Sequence, residues 1–284
     1  MKTKSNEELG PYANVLMDRW FKRTFGWEPA KPLLTLFLQE LIPERQIIDL
    51  SYGPQEHINP IDEGKDVRVD VECTDQDGSR FVVEMQLDKQ GGFYERAVLN
   101  SSFAIQQQIK VGETGYEMPT VYFIGVMNFA FHKGGRVLYR YSLQEKESHE
   151  KMTDCLQFLF LELPNSESKA LTPEASILDN FCYTLRNLSN LKSRPVGLDG
   201  EIFDLLFNSA EITNFTPKEQ FEYIKDMTTQ EDIKRQIAYA ASQAKKDESK
   251  EIAAKLLQMG SDVAFVAQAT GLTPEEILAL SANS

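Results

Sequence analysis

The stretch that most limits what this chain can fold into runs from Gly64 to Lys89, GKDVRVDVECTDQDGSRFVVEMQLDK. Two runs alternate apolar and polar residues with period two, and Gln76, Asp77 and Gly78 between them have turn chemistry, which predicts a β-hairpin. On the first run Val67, Val69, Val71 and Cys73 share one face, and Arg68, Asp70 and Glu72 the other. On the second, Phe81, Val83 and Met85 face away from Val82, Glu84 and Gln86. With a three-residue loop and Gly78 in the left-handed conformation, Asp75 opposes Ser79. Counting back, Glu72 opposes Val82, Asp70 opposes Glu84 and Arg68 opposes Gln86. A slip of one residue would mix apolar and polar side chains on each face, so this register is favoured.

Two carboxylates directly opposite on an exposed sheet face repel by roughly 0.2–1 kcal/mol. A divalent cation between them reverses the sign. Hard oxygen ligands from one or two carboxylates, completed by water and phosphate, suit Mg²⁺. On the hairpin alone two readings stand: a metal site at Asp70 and Glu84, or a solvated sheet face whose acids serve only solubility.

The order of motifs along the chain favours the first. Asp70 on one strand, followed by Glu84-Met85-Gln86 on the next, resembles the Asp…Glu-x-Lys signature of the PD-(D/E)XK nuclease superfamily, with Gln in place of Lys. The surroundings resemble the Rpn-like recombination-promoting nucleases and transposases. DRWFKRTFG (Asp18–Gly26) is similar to that family's amino-terminal element, and LLTLFLQELI (Leu33–Ile42) to the helix after it. ERAVLNSSFAIQQQI (Glu95–Ile109) is similar to the helix after the hairpin. LQFLFLELP (Leu156–Pro164) is similar to a later strand, although Asn165-Ser166 follows where a basic-aromatic pair is expected.

The resemblance implies an α/β fold: a restriction-endonuclease-like mixed sheet flanked by helices, followed by an all-helical carboxyl-terminal region. It implies a metal-dependent DNA endonuclease acting in recombination or transposition of mobile DNA. Asp70 and Glu84 would hold Mg²⁺ or Mn²⁺ with the Met85 carbonyl, and Gln86 would hydrogen-bond the attacking water where the superfamily has Lys. Arg96 on the helix after the hairpin would meet substrate phosphate, and Arg68, opposite Gln86 in this register, is a second phosphate candidate. An acid on an early helix often supports such a pair, and Glu40 is the nearest candidate.

Composition bounds these readings. The chain has 284 residues, of which 42% are hydrophobic and 26% charged, enough for a sizeable core and unlike a disordered chain. Cys73, Cys155 and Cys182 form no CxxC pair and read as free thiols in a reducing compartment. His57, His132 and His149 are scattered and make no HExxH-type site. MKTKSNEELG lacks the apolar run of a secretory signal, and no stretch approaches the ~20 apolar residues of a membrane span, so a cytoplasmic protein is expected. The net charge of −13 has the wrong sign for tight non-specific DNA binding. It favours a rival reading, a degenerate nuclease fold retained as a non-catalytic DNA- or protein-binding module. A third reading is an unrelated α/β interaction protein.

In chain order, Tyr12–Phe25 reads as a helix whose Lys22 and Arg23 are either phosphate contacts or solvated charges. A second helix runs from Pro32 to about Glu40, and Gln46–Tyr52 is extended. After the hairpin, Phe93–Lys110 reads as a helix with Arg96, Asn100 and Gln107 sharing a stripe with Phe103. Thr120–Phe131 and Cys155–Leu163 read as buried strands and RVLYRYSL as another, for a sheet of five or six strands.

The character changes after Pro164, which sets domain boundaries at 1–165, 166–246 and 247–284. Helices are predicted over Ala175–Leu188, Gly200–Ala210, Pro217–Thr228 and Glu231–Lys246, and the stretch Thr228–Gly260 allows one long helix. Residues 247–284 resemble a helix-turn-helix joined at TGLTPEE. Glu275 and Glu276 open its second helix, where a DNA reader carries Arg, Lys, Asn or Gln, so packing or protein contact is favoured over DNA reading. Its apolar residues are too many for two short helices to bury, which makes a homo-oligomer through these helices one way to cover them.

Overall fold

The computed structural model describes residues 10–57, 67–108 and 118–281. They form two compact units that divide between Phe215 and Thr216.

The hairpin has the expected register. Strands β4 (Val71–Asp75) and β5 (Arg80–Gln86) are antiparallel, with Glu72 opposite Val82 and Cys73 opposite Phe81. Gly78 takes φ +84°, and Asp75 N–H donates to Ser79 O at 3.0 Å. The hairpin belongs to a six-stranded mixed sheet in the order β1–β4–β5–β6–β8–β7, with β1 at Leu50–Tyr52, β6 at Val121–Met127, β7 at Leu138–Gln144 and β8 at Lys151–Glu162. Strands β5, β6 and β8 run parallel, so their carboxyl ends share one edge.

Strand β6 shows why the sheet is covered on both sides. All of VYFIGVM is buried, and alternate residues enter two different cores. Tyr122, Ile124 and Val126 join one face and Val121, Phe123 and Met127 the other. Helices α1 (Asp18–Phe25), α2 (Lys31–Leu41), α4 (Ile177–Asn187) and α5 (Glu201–Ala210) supply the first core. Helix α3 (Phe93–Gln106) supplies Phe93, Ala97, Phe103 and Ala104 to the second. Each large apolar side chain so buried stabilises by about 1.5–3 kcal/mol. Phe181 of α4 stacks on Phe37 of α2 at 5.1 Å, so helices beyond Pro164 share the core of the sheet. The first compact unit accordingly extends to Phe215.

Helix α1 starts later than its apolar pattern suggests. Ala13 N–H donates to Ala210 O (2.8 Å) and Leu16 N–H to the Asn14 side chain (3.1 Å), so these donors are committed before helix can form. Further along, Lys110 and the end of its expected helix lie outside the described residues.

The first hairpin run is not one continuous strand, and the structure corrects the expectation there. β3 (Val67–Arg68) pairs with β2 (Glu56–His57) in a separate ribbon. Val69 joins the core under α3, while Val71 and Cys73 face the opposite core. The break at Val69 and Asp70 therefore inverts the alternation, because Val69 N–H bonds Gln55 O (2.9 Å) outside the ladder.

In the second unit, α6 (Pro217–Gln258) is one helix, opened by a Thr216–Glu219 capping box. Helices α7 (Val263–Thr270) and α8 (Pro274–Ser281) fold back on its end around Ala253, Val266, Leu272 and Ile277. Gly271, at φ +71°, ends α7 in the left-handed conformation that glycine adopts freely. Among the described residues no helix is long and apolar enough to cross a membrane.

Candidate functional site

In an antiparallel ladder, hydrogen-bonded pairs recur every second residue. The Asp75–Ser79 pair is bonded, so the series would reach Val69 and Met85 if the strand continued. It does not, and the Asp70 side chain takes the vacated place: Met85 N–H donates to Asp70 Oδ2 at 2.8 Å. The carboxylate is thereby held at the edge of β5, beside the residue that follows Glu84. In a position of this kind the N–H and C=O of one residue face the same edge. The Met85 carbonyl therefore lies on Asp70's side of β5.

Helix α3 fixes the other polar groups. Its stripe meets alternate residues of β5 in antiparallel order. Arg96 NH2 donates to Gln86 Oε1 (2.8 Å), Asn100 Nδ2 to Glu84 Oε1 (3.1 Å), and Arg80 NH1 to Gln107 Oε1 (2.9 Å). Four helical residues advance about 6 Å, and two strand residues about 6.8 Å, so the two periods stay in step over this length. Val82 falls between, in the same core as Phe103. Both ends of Gln86 are engaged, since its Nε2 donates to Asp88 O at 3.1 Å.

Lys22 and Asp18 of α1 complete the cluster. Lys22 Nζ lies 2.8 Å from Asp18 Oδ1, one helical turn away, and 3.4 Å from Asp70 Oδ1. The Asp70 carboxyl is raised to about 6: burial and then Asp18 push it up, against the pull of the Met85 N–H and Lys22. Burial, then the Asp70 charge, push Glu84 up to about 8 against the pull of Arg96, Asn100 and Lys22. Burial lowers Lys22, but its two carboxylates outweigh this and leave it raised. A buried acid and a half-buried one that give up protons reluctantly, with a carbonyl at the same edge, form a hard-oxygen set that a divalent cation would relieve. Among the described residues no group of three or more His, Cys, Asp or Glu side chains is arranged for a metal. This set leaves most coordination positions to water and phosphate, as Mg²⁺ commonly does.

The structure thus brings Asp70, Glu84, Gln86 and Arg96 together, and separates Arg68 from them in the ladder. Arg68 does not oppose Gln86: its NH2 pairs with Glu56 Oε1 at 2.8 Å in the β2–β3 ribbon. Arg23 is a packing residue, donating to Ser209 O (2.7 Å) with its guanidinium 4.1 Å from the Phe215 ring centre. The early-helix acid that acts on Asp70 is Asp18 rather than Glu40. Its sequence signal was the i,i+4 spacing of Asp18 and Lys22, which puts acid and base on one helical face.

Comparison with known proteins identifies the family. Residues 15–240 match the family model described as PD-(D/E)XK nuclease family transposase. Residues 246–282 match the Rpn/YhgA-like nuclease family, C-terminal HTH domain. No curated protein and no solved structure matches the chain. With the first match covering most of its length and the second the helices that follow, the chain belongs to the PD-(D/E)XK nuclease family transposases, of the Rpn-like kind.

Proposed function

We propose that the protein is a metal-dependent DNA endonuclease that cleaves phosphodiester bonds in the recombination or transposition of mobile DNA. The observation that carries this reading is the placement of Asp70 at the broken end of β4, bonded to Met85 N–H and acting electrostatically on Glu84. Asp70, Glu84 and the Met85 carbonyl would hold Mg²⁺ or Mn²⁺. When bound, such an ion polarises a phosphate and lowers the pKa of water at neutral pH.

The chain's own residues have separate tasks. Asn100 fixes the Glu84 oxygen it donates to. Lys22 offsets the charge of Asp18 and Asp70. Arg96 presents a guanidinium that matches phosphate oxygens in a two-pronged contact. Gln86 replaces the superfamily Lys and orients Arg96, because its oxygen accepts from that guanidinium and its nitrogen is bound elsewhere. The positive charge that Lys would supply comes from Arg96 in this reading. The matched helix-turn-helix domain makes DNA the expected partner of the carboxyl-terminal unit as well. There Glu276 pairs with Lys246 at 2.6 Å, so that acid is neutralised within the unit.

The test is nicking of supercoiled plasmid with Mg²⁺ or Mn²⁺, with and without chelator, by the parent and by Asp70→Ala. Cleavage should require the metal and vanish in the variant, with tryptophan fluorescence showing an intact fold. Nicking by Asp70→Ala at the parental rate would refute the site. Gln86 in place of Lys, and the charge of −13, favour one second reading: a non-catalytic DNA- or protein-binding module. Metal binding without any cleavage would select it.

A further inference from the structure

A second polar cluster lies on the same edge of the sheet. Glu162, at the end of β8, is 1% exposed. Its carboxylate accepts from His132 Nδ1 (2.7 Å), from the His132 backbone N–H (3.0 Å) and from Asn165 Nδ2 (2.9 Å). Asn165 also donates to His132 O and Arg136 O and accepts from Gly134 N–H, tying down the loop between β6 and β7.

A buried carboxylate needs donors, and the backbone N–H with the Asn165 amide supplies two without the imidazole. The imidazole adds a direction. With Nδ1–H committed to Glu162, Nε2 is the free end of a ring that is 46% exposed and stacked on Tyr139 at 4.3 Å.

The position of this ring relates it to the carboxylate site. Gln86 pairs with Met127 across β5 and β6, and Met127 with Glu162 across β6 and β8. Directly opposed residues point to one face, so Glu162 stands in line with Gln86, two strand spacings or about 10 Å away. The loop after β5 reaches across: Lys89 Nζ lies 4.5 Å from the ring centre of Phe131, the neighbour of His132. Ligands of open α/β sheets bind outside the carboxyl ends of parallel strands, and this edge carries Arg96, Lys89 and His132.

We propose that His132, oriented by Glu162 and Asn165, is a further phosphate-contacting residue, binding a backbone phosphate next to the one at Asp70 and Glu84. The proposal rests on the nuclease reading. Phosphate oxygens only accept, so the contact uses the imidazolium, with Nδ1–H to Glu162 and Nε2–H to the phosphate. Tyr139, Asn165 and the flanking Lys133 complete its surroundings.

The experiment compares parent and His132→Asn by anisotropy of a short fluorescein-labelled DNA duplex, titrated in chelator at several KCl concentrations. Asn keeps a nitrogen donor where Nδ1 stood, so the bond to Glu162 and the melting temperature should persist. Affinity should fall about tenfold, as for loss of a hydrogen bond to a charged group, and the log–log salt slope should drop by about one. Histidine ring nitrogen NMR adds a direct readout. There are three histidines, and the His132 signals are those that vanish in the variant. Its Nε2 should move when the duplex is added. If the parent binds and cleaves DNA but His132→Asn has the same affinity and slope, and Nε2 does not move, the cluster is only a loop clamp and the proposal falls while the nuclease reading stands. A parent that neither binds nor cleaves DNA overturns both.

Discussion

Glu84→Gln isolates the electrostatic cost of the proposed metal site. The substitution keeps the side-chain shape and an oxygen for the Asn100 amide, 3.1 Å away in the parent, and removes only the charge. In the folded parent the Glu84 carboxyl keeps its proton up to about pH 8, whereas an ordinary glutamate loses it near 4.5. Between these values the native state binds more protons than the unfolded one, so metal-free stability falls as pH rises through the window. At about 1.36 kcal/mol per tenfold, and allowing for relaxation around the charge, the loss is on the order of 2–5 kcal/mol. Glu84→Gln escapes it. A domain of this size shifts its melting temperature by ~2–4 °C per kcal/mol. The variant should therefore melt roughly 5–15 °C above the parent near pH 9 and within ~2 °C of it near pH 4.5. Trp20 and Trp27 are the only tryptophans and both lie in the first unit, so their fluorescence reports its unfolding alone. Near pH 9, Mg²⁺ should raise the parent's melting temperature by mass action and leave the variant's unchanged. Parallel pH profiles for the two proteins would refute the buried-charge argument. An equal Mg²⁺ shift in both would refute Glu84 as a ligand.

Gln86→Lys, which by analogy with the superfamily should keep or raise activity, places an ammonium against the Arg96 guanidinium. It should lower nicking, and adding Arg96→Gln should recover part of the loss in the same assay. Asp75, whose side chain is fully buried, accepts from Arg45 NH2 at 2.8 Å and from the Asp77 and Ser79 backbone at the hairpin tip. Asp75→Ala leaves that arginine without its buried partner and should cost about 3–5 kcal/mol, read from urea unfolding by tryptophan fluorescence. A chain ending at Ser249 loses the helices that pack around Ala253. It should keep the first unit's melt and most of its nicking, with altered assembly in light scattering. Unchanged assembly with loss of salt-sensitive DNA affinity would instead assign DNA binding to those helices.

What could be read from the sequence was what depends on local periodicity. The hairpin register followed from matching two period-two patterns through Gly78, and the α3 stripe followed from spacings of four and seven. Arg96 and Asn100 of that stripe donate to Gln86 and Glu84, alternate residues of β5. The break at Asp70 could not be read this way. It arises because Val69 and Arg68 pair with Gln55 and Glu56, and nothing in the alternation of VRVDVEC marks the place where that pairing wins. The same holds for Asp18. Its helical partner Lys22 was visible, but its action on Asp70 depends on how α1 lies against the sheet. His132 and Glu162 are 30 residues apart on different elements, a spacing with no local code. Glu40 stands in an amphipathic helix pattern, and nothing in that pattern points instead to Asp18.

The net charge of −13 is the main objection to the proposed DNA enzyme, and screening with distance weakens that objection. Charges farther apart than ~8 Å are largely screened at physiological ionic strength, so a bound phosphate feels its neighbours rather than the whole surface. Around the proposed site Lys22 and Arg96 face Asp18 and Asp70, two charges of each sign, while Glu84 keeps its proton up to about pH 8. One divalent cation would make that neighbourhood positive. Remote acids still repel a polyanion during approach, and they weaken non-specific attachment that depends on many phosphate contacts. An enzyme built this way gains little from electrostatic steering. Its affinity for DNA should therefore rise when the metal is added, above the salt-dependent binding seen in chelator, unlike that of a protein that holds DNA by a basic face alone.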